Sequence, residues 1–220
     1  MPDGVIVKAY GLPPVDEREA LRYAGCRGEA DEKTRALLKE CIMQTEFSVG
    51  GRVCYRVLSV DEAFGLFPSA KTSRAWTKRL AGCEKAVVFA ATIGIAMDRL
   101  FERYANVSVT KAALFQALGA ERVEALCDEF CGALQAEFFP QGLYTRPRFS
   151  PGYGDFPLTE QKTVFAVLDP PRKIGVSLND SLLMSPTKSV TAIVGLTKTP
   201  CAGKADCKDC AKTDCAYRNE

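Results

Sequence analysis

From about Thr110 to Phe139 the chain repeats apolar side chains at helical intervals without a break. Leu114, Leu118, Val123, Leu126, Cys127, Phe130, Leu134 and Phe138 fall along one stripe. A helix so long and so one-sided needs an apolar surface to lie on. The flanking segments offer strands. "VCYRVLSV" follows a Gly-Gly turn, "AVVFAATIG" is a second strand of buried character, and "SVTAIVGLTK" is another. "IGVSLNDSLLM" also reads as a strand, parted from "SVTAIVGLTK" by the turn "SPTK". Further helices are expected in "DEKTRALLKECIMQTE", where Leu37, Leu38, Cys41, Ile42 and Thr45 recur at helical spacing, and in "SRAWTKRLAGC", which Gly82 stops. "GIAMDRLFERYA" and "LTEQKTVFAVLD" complete the set. Strands interspersed with helices indicate an α/β or α+β domain. The 220 residues suffice for a proper core, with no internal repeat and no flexible linker.

Composition narrows the chemistry. A net charge of +2 with no local run of lysine or arginine predicts no general affinity for nucleic acid. The start "MPDGVIVKAYGLPP" has no signal-peptide pattern, and the longest apolar run, "AVVFAATIGIAM", is too short to span a membrane. A soluble, cytoplasmic protein is expected. The chain has no histidine, which removes the commonest general base and the commonest ligand for zinc, haem and cobalt. Six of the ten cysteines (Cys26, Cys41, Cys54, Cys83, Cys127 and Cys131) sit among apolar residues and read as small core side chains. The other four, Cys201, Cys207, Cys210 and Cys215, follow the spacing C-x5-C-x2-C-x4-C near the C-terminus. Four thiolates so placed suit one zinc ion or an iron–sulfur cluster; reactive thiols and an incidental polar tail are the other readings.

"RPRFSPGYGDFPL" (146–158) is the second constraint. Arg148 offers a planar two-pronged donor for a carboxylate or phosphate, and Pro147 and Pro151 stiffen the backbone. Gly152 and Gly154 allow a ligand close to the main chain, and Tyr153 adds a flat face with a hydroxyl. Such a loop suits a small zwitterion with an aromatic part. An ordered surface loop with Tyr153 packed inward fits the same residues.

The segment Arg148-Phe-Ser-Pro-Gly152-Tyr153, followed in order by Ser181, Met184, Pro186 and Ser189-Val190, resembles the C-terminal reactivation domain of cobalamin-dependent methionine synthase. The resemblance covers roughly Thr110 to Thr197 and suggests a stand-alone form of that domain. It implies an α+β fold, a single domain with a central twisted, largely antiparallel sheet flanked by helices over residues 1–198. The cysteine-rich tail over 199–220 would be a separate metal- or cluster-binding unit.

The resemblance also implies an S-adenosylmethionine site. Arg148 would hold the methionine carboxylate, while the backbone around Ser150, with Gly152 and Tyr153, would meet the adenosine end or shape its pocket. Glu124, in "RVEALCDEF", would face the ammonium or sulfonium; on residues alone it reads as a solvated glutamate at the helix border. Asp31, Asp61 or another early carboxylate would complete the pocket. The implied activity is reductive reactivation, in which cob(II)alamin gains one electron and is trapped by methyl transfer from S-adenosylmethionine. Cobalamin would come from a partner, a cobalamin-binding methyltransferase subunit, and the electron from a donor such as flavodoxin or ferredoxin. No protein acid or base is required, in keeping with the missing histidine. The competing expectation is an activator, or a non-catalytic cap, for another corrinoid protein, with a redox iron–sulfur tail. Where the family continues the Ser-Val strand into an aromatic strand, this chain runs into the cysteine tail. That departure either weakens binding or leaves a second subunit to complete the pocket.

Overall fold

A computed structural model describes residues 4–26, 28–45 and 50–200. Cys201, Cys207, Cys210 and Cys215, expected to bind a metal, lie outside the described residues. The chain starts with β1 (Ile6–Tyr10), α1 (Glu17–Tyr23) and α2 (Glu32–Thr45). Next come β2 (Gly51–Ser59), α3 (Val60–Leu66), α4 (Arg74–Leu80) and β3 (Cys83–Thr92). Then α5 (Ala96–Ala105) leads to the long α6 (Val109–Phe138) and the two-residue β4 (Tyr144–Thr145). The last elements are α7 (Gln161–Leu168), α8 (Pro170–Ile174), β5 (Ser177–Leu178), β6 (Met184–Ser185) and β7 (Ser189–Thr197).

Five strands form one sheet in the order β1-β2-β3-β7-β4, with every pairing antiparallel. Alternation divides the core between the two faces. Val87, Phe89 and Ala91 of β3, with Ala192, Val194 and Leu196 of β7, pack beneath α6 on Leu118, Leu126 and Phe130. The intervening Ala86, Val88, Ala90 and Ile193 meet Trp76, Leu80, Val164 and Ile174 on the opposite face. Both faces of β3 and β7 are covered, so these strands read as nearly continuous apolar runs. The architecture is α+β, a curled antiparallel sheet flanked by helices, as expected.

The long stripe folds as one helix, opened by the Ser108 hydroxyl accepting from Lys111 N–H. It spans about 45 Å at 1.5 Å per residue. Three expectations need correction. "IGVSLNDSLLM" is no single strand: its ends pair as the short hairpin β5–β6 across a turn at Asn179–Leu183, in which Leu182 adopts φ +62°. The loop 146–149 is partly strand-like, because Arg146 N–H donates to Gly195 O and Phe149 exchanges both backbone hydrogen bonds with Ile193. And β1, α1, α3 and α8 are elements that sequence patterning did not announce. Among the described residues, no helix is long and apolar enough to cross a membrane.

Candidate functional site

The strand-like run that carries Arg148 lies on the free side of β7, close to α6. Successive residues there turn to opposite sides. Phe149 enters the cluster of Trp76, Phe67 and Phe156 at ring-centroid distances of 5.7 Å to Trp76 and to Phe156. Arg148 points into a cleft of about 1140 Å³ between α6 and the N-terminal arm. The cleft's lining includes Pro13, Pro14, Asp16, Glu19, Glu124 and Arg146, besides Arg148. That volume is ample for a nucleoside-sized ligand.

Arg148 is held by two carboxylates one helical turn apart. Its Nη2 donates to Glu124 Oε2 at 2.5 Å, and its Nη1 to Asp128 Oδ1 at 2.5 Å. Burial of the guanidinium opposes its charge, but Cys127, Asp128 and Glu124 outweigh that cost and its pKa is raised. It is a permanent cation. The neighbouring thiols behave differently: burial pushes both Cys127 and Cys131 above the ordinary thiol value, which disfavours the thiolate. Arg146 borders the same cleft; its Nη2 donates to Ala81 O, and its buried Nε has no hydrogen-bond partner. Six carboxylates line the cleft against three guanidiniums, so its field favours a cationic guest.

The opposite wall is pinned from behind by a buried pair. Arg122 donates to Pro13 O at 2.5 Å and to Pro14 O at 3.2 Å, and it also binds Glu121. Glu121 in turn accepts from Asp16 N–H at 3.1 Å. The Asp16 side chain caps α1 by accepting from Arg18 and Glu19 N–H. These contacts bring Asp16 and Glu19 to the cleft as its early carboxylates. Asp31 instead accepts from Thr34 N–H at the start of α2, Asp61 sits exposed in the first turn of α3, and neither lines the cleft.

The structure thus brings Arg148 and Glu124 together but leaves Ser150, Gly152 and Tyr153 outside the lining, on the following turn. That turn is tied elsewhere. Asp155 accepts from Ser73 Oγ and from Arg74 and Ala75 N–H at the start of α4, and Gly152 N–H donates to Phe156 O. Gly152 has φ +94° and Gly154 φ +59°, conformations that disfavour a Cβ. Tyr153 is 71% exposed, not packed inward. Sequence reasoning missed Asp16, Glu19, Asp128, Arg146 and the Glu121–Arg122 pair. Asp128 alone carried a local signal, its spacing of four from Glu124. Among the described residues, no group of three or more acidic or cysteine side chains could hold a metal ion.

Comparison with known proteins agrees with this architecture. No curated protein matches the chain. The solved structures include a similar fold described as "Crystal Structure of the MetH Reactivation Domain bound to AdoHcy", with a TM-score of 0.61 at 15% sequence identity. The similarity covers 92% of this chain and 82% of that one. The sequence pattern of the family described as "Vitamin B12 dependent methionine synthase, activation domain" matches residues 78–200, a span running from the end of α4 through β7 and taking in the whole of α6 and the Arg148 loop. The chain belongs to the family of activation domains of vitamin B12 dependent methionine synthase.

Proposed function

We propose that the chain binds S-adenosylmethionine in the cleft beside α6 and presents its methyl group for reductive reactivation of a cobalamin methyltransferase. The observation that carries the reading is Arg148, a buried-edge guanidinium aimed into an acidic cleft of about 1140 Å³. S-adenosylmethionine carries one carboxylate and two cationic centres, which is the charge pattern this lining complements. Arg148 holds the carboxylate, and Glu124 faces the ammonium or sulfonium. Ser150, Gly152 and Tyr153 meet the adenosine end from the adjoining turn. Support also comes from the family, and from the similar reactivation domain, which was solved bound to AdoHcy.

A partner's cobalamin, once reduced, would be the methyl acceptor in this reading. The electron comes from a separate one-electron donor, and the electron pair of the broken carbon–sulfur bond remains on sulfur. This chain's part is positioning: its residues orient the donor, with no proton to move. Residues 1–198 form the binding domain in this reading, and the four-cysteine tail holds zinc or an iron–sulfur cluster. Calorimetric titration with S-adenosylmethionine tests the reading. Binding by the wild type, weakened at least about tenfold in Arg148→Ala, is the expected result. A wild type that binds no S-adenosylmethionine overturns it.

One observation favours a second reading. Two carboxylates already occupy Arg148, as they would in a cap that only covers a corrinoid protein. That reading predicts unchanged reactivation in Arg148→Ala.

A further inference from the structure

We propose that Asp128 is the displaceable occupant of Arg148, and that its displacement selects ligands bearing an ammonium next to their carboxylate; this rests on the S-adenosylmethionine reading above. Glu124 and Asp128 each engage a different terminal nitrogen of Arg148, both at 2.5 Å. The guanidinium's two-pronged edge is therefore taken before any ligand arrives. In this proposal a ligand carboxylate takes the paired contact by replacing one of the two side chains.

Asp128 is the one placed to leave. Its side chain is 60% exposed against 43% for Glu124, so it recovers more hydration when released. It is also the shorter side chain on a rigid helix, and release moves it only a little way from the guanidinium. Once displaced, it remains on the same helix beside Arg148, where it can pair with an ammonium carried next to the incoming carboxylate. One guanidinium with two carboxylates carries a net negative charge, and an arriving carboxylate alone makes that worse. An arriving carboxylate with its own ammonium restores the balance, because Asp128 exchanges a guanidinium for an ammonium. The ion pair thus works as a filter: carboxylate alone loses one partner and gains one, while the zwitterion keeps every charge paired.

Three ligands separate this from a passive surface ion pair: S-adenosylmethionine, its deaminated analogue, which keeps the carboxylate, and its decarboxylated analogue, which keeps the ammonium. Each is titrated calorimetrically into the full chain and into Asp128→Asn, with thermal melts confirming that the exposed substitution leaves the fold intact. The wild type should prefer S-adenosylmethionine over the deaminated analogue by at least about tenfold, the scale of one charge-assisted hydrogen bond. Asp128→Asn should tighten the deaminated analogue by about tenfold, leave S-adenosylmethionine within about threefold, and not strengthen the decarboxylated analogue. Parallel changes for all three ligands, or no change in any, overturn the filter while leaving the S-adenosylmethionine site standing. If the wild type binds none of the three, the ligand reading fails and takes the filter with it.

Discussion

Arg122 and Glu121 are consecutive residues of α6, with side chains only 5% and 6% exposed. Their pairing tethers an arm more than a hundred positions away, through Pro13 O, Pro14 O and Asp16 N–H. Removing one member strands the other in a dry site, a loss of about 3–5 kcal/mol for a buried ion pair. Arg122→Ala should therefore lower the urea midpoint sharply, and Glu121→Gln with Arg122→Met should recover much of the loss, since no lone charge remains. Tyr153 is the opposite case. At 71% exposure its replacement by Ala should leave the urea midpoint within experimental error, while affinity for S-adenosylmethionine falls about tenfold through the lost aromatic contact. Unchanged affinity in Tyr153→Ala would remove the phenol from the site.

Among the elements, the Arg148 loop owes its position to its far end. The Asp155 carboxyl accepts from Ala75 N–H, Arg74 N–H and the Ser73 hydroxyl, and these hold its pKa below the ordinary value. A depressed folded pKa contributes stability above the unfolded value near 4, and that contribution is lost as pH falls through the folded value. Urea midpoints of the wild type should thus drop more between pH 5 and pH 3 than those of Asp155→Asn, a modest difference because the group faces solvent. Strand and helix differ in how they tolerate an added methyl. A Cβ on Gly195 in β7 would lie 2.6 Å from Cys83 Sγ and 3.3 Å from Arg79 O, so Gly195→Ala should cost about 1–3 kcal/mol in unfolding free energy. A Cβ on Gly119 in α6 would lie 2.7 Å from Lys188 Cε and 2.9 Å from its Cγ, so that whole side chain must shift, and Gly119→Ala should cost less than Gly195→Ala because no backbone atom stands in the way.

The same contrast explains what could be read in advance. α6, β3 and β7 announced themselves because burial imposes a long, regular apolar pattern. β1 is a short edge strand with mixed exposure, and α3 rests on a capping box between Ser59 and Glu62 more than on any stripe. "IGVSLNDSLLM" has strand-like residues but turns on Asn179, whose side chain accepts from Leu183 N–H. Arg148 was legible from its loop, and Glu124 through the resemblance alone; the structure joins the two in an ion pair. Asp16 and Glu19 reach the cleft only through the Glu121–Arg122 tether, a long-range contact that leaves no local trace.

At the scale of the molecule, the cleft joins two parts of unequal stability. α6 and the strand edge belong to the core beneath the sheet, whereas α1 is seven residues long with Ala20 its one buried residue. A short helix so lightly packed should open before the rest of the fold, with its amides exchanging ahead of those of the sheet. A ligand filling the cleft makes that opening costly, because opening α1 removes Asp16, Glu19, Arg22 and Tyr23 from the lining. At a ligand concentration a hundred times the dissociation constant, any opening that destroys the site becomes about 100-fold rarer. Hydrogen exchange with saturating S-adenosylmethionine should then slow α1 amides by about that factor, matching the slowest amides of β3 and β7, which exchange only on global unfolding. The β5–β6 hairpin lines no part of the cleft, and its locally exchanging amides should not change. Protection of the strands without protection of α1 would mean that the ligand binds the sheet edge alone, and that the arm held by Arg122 supports the fold without forming the site.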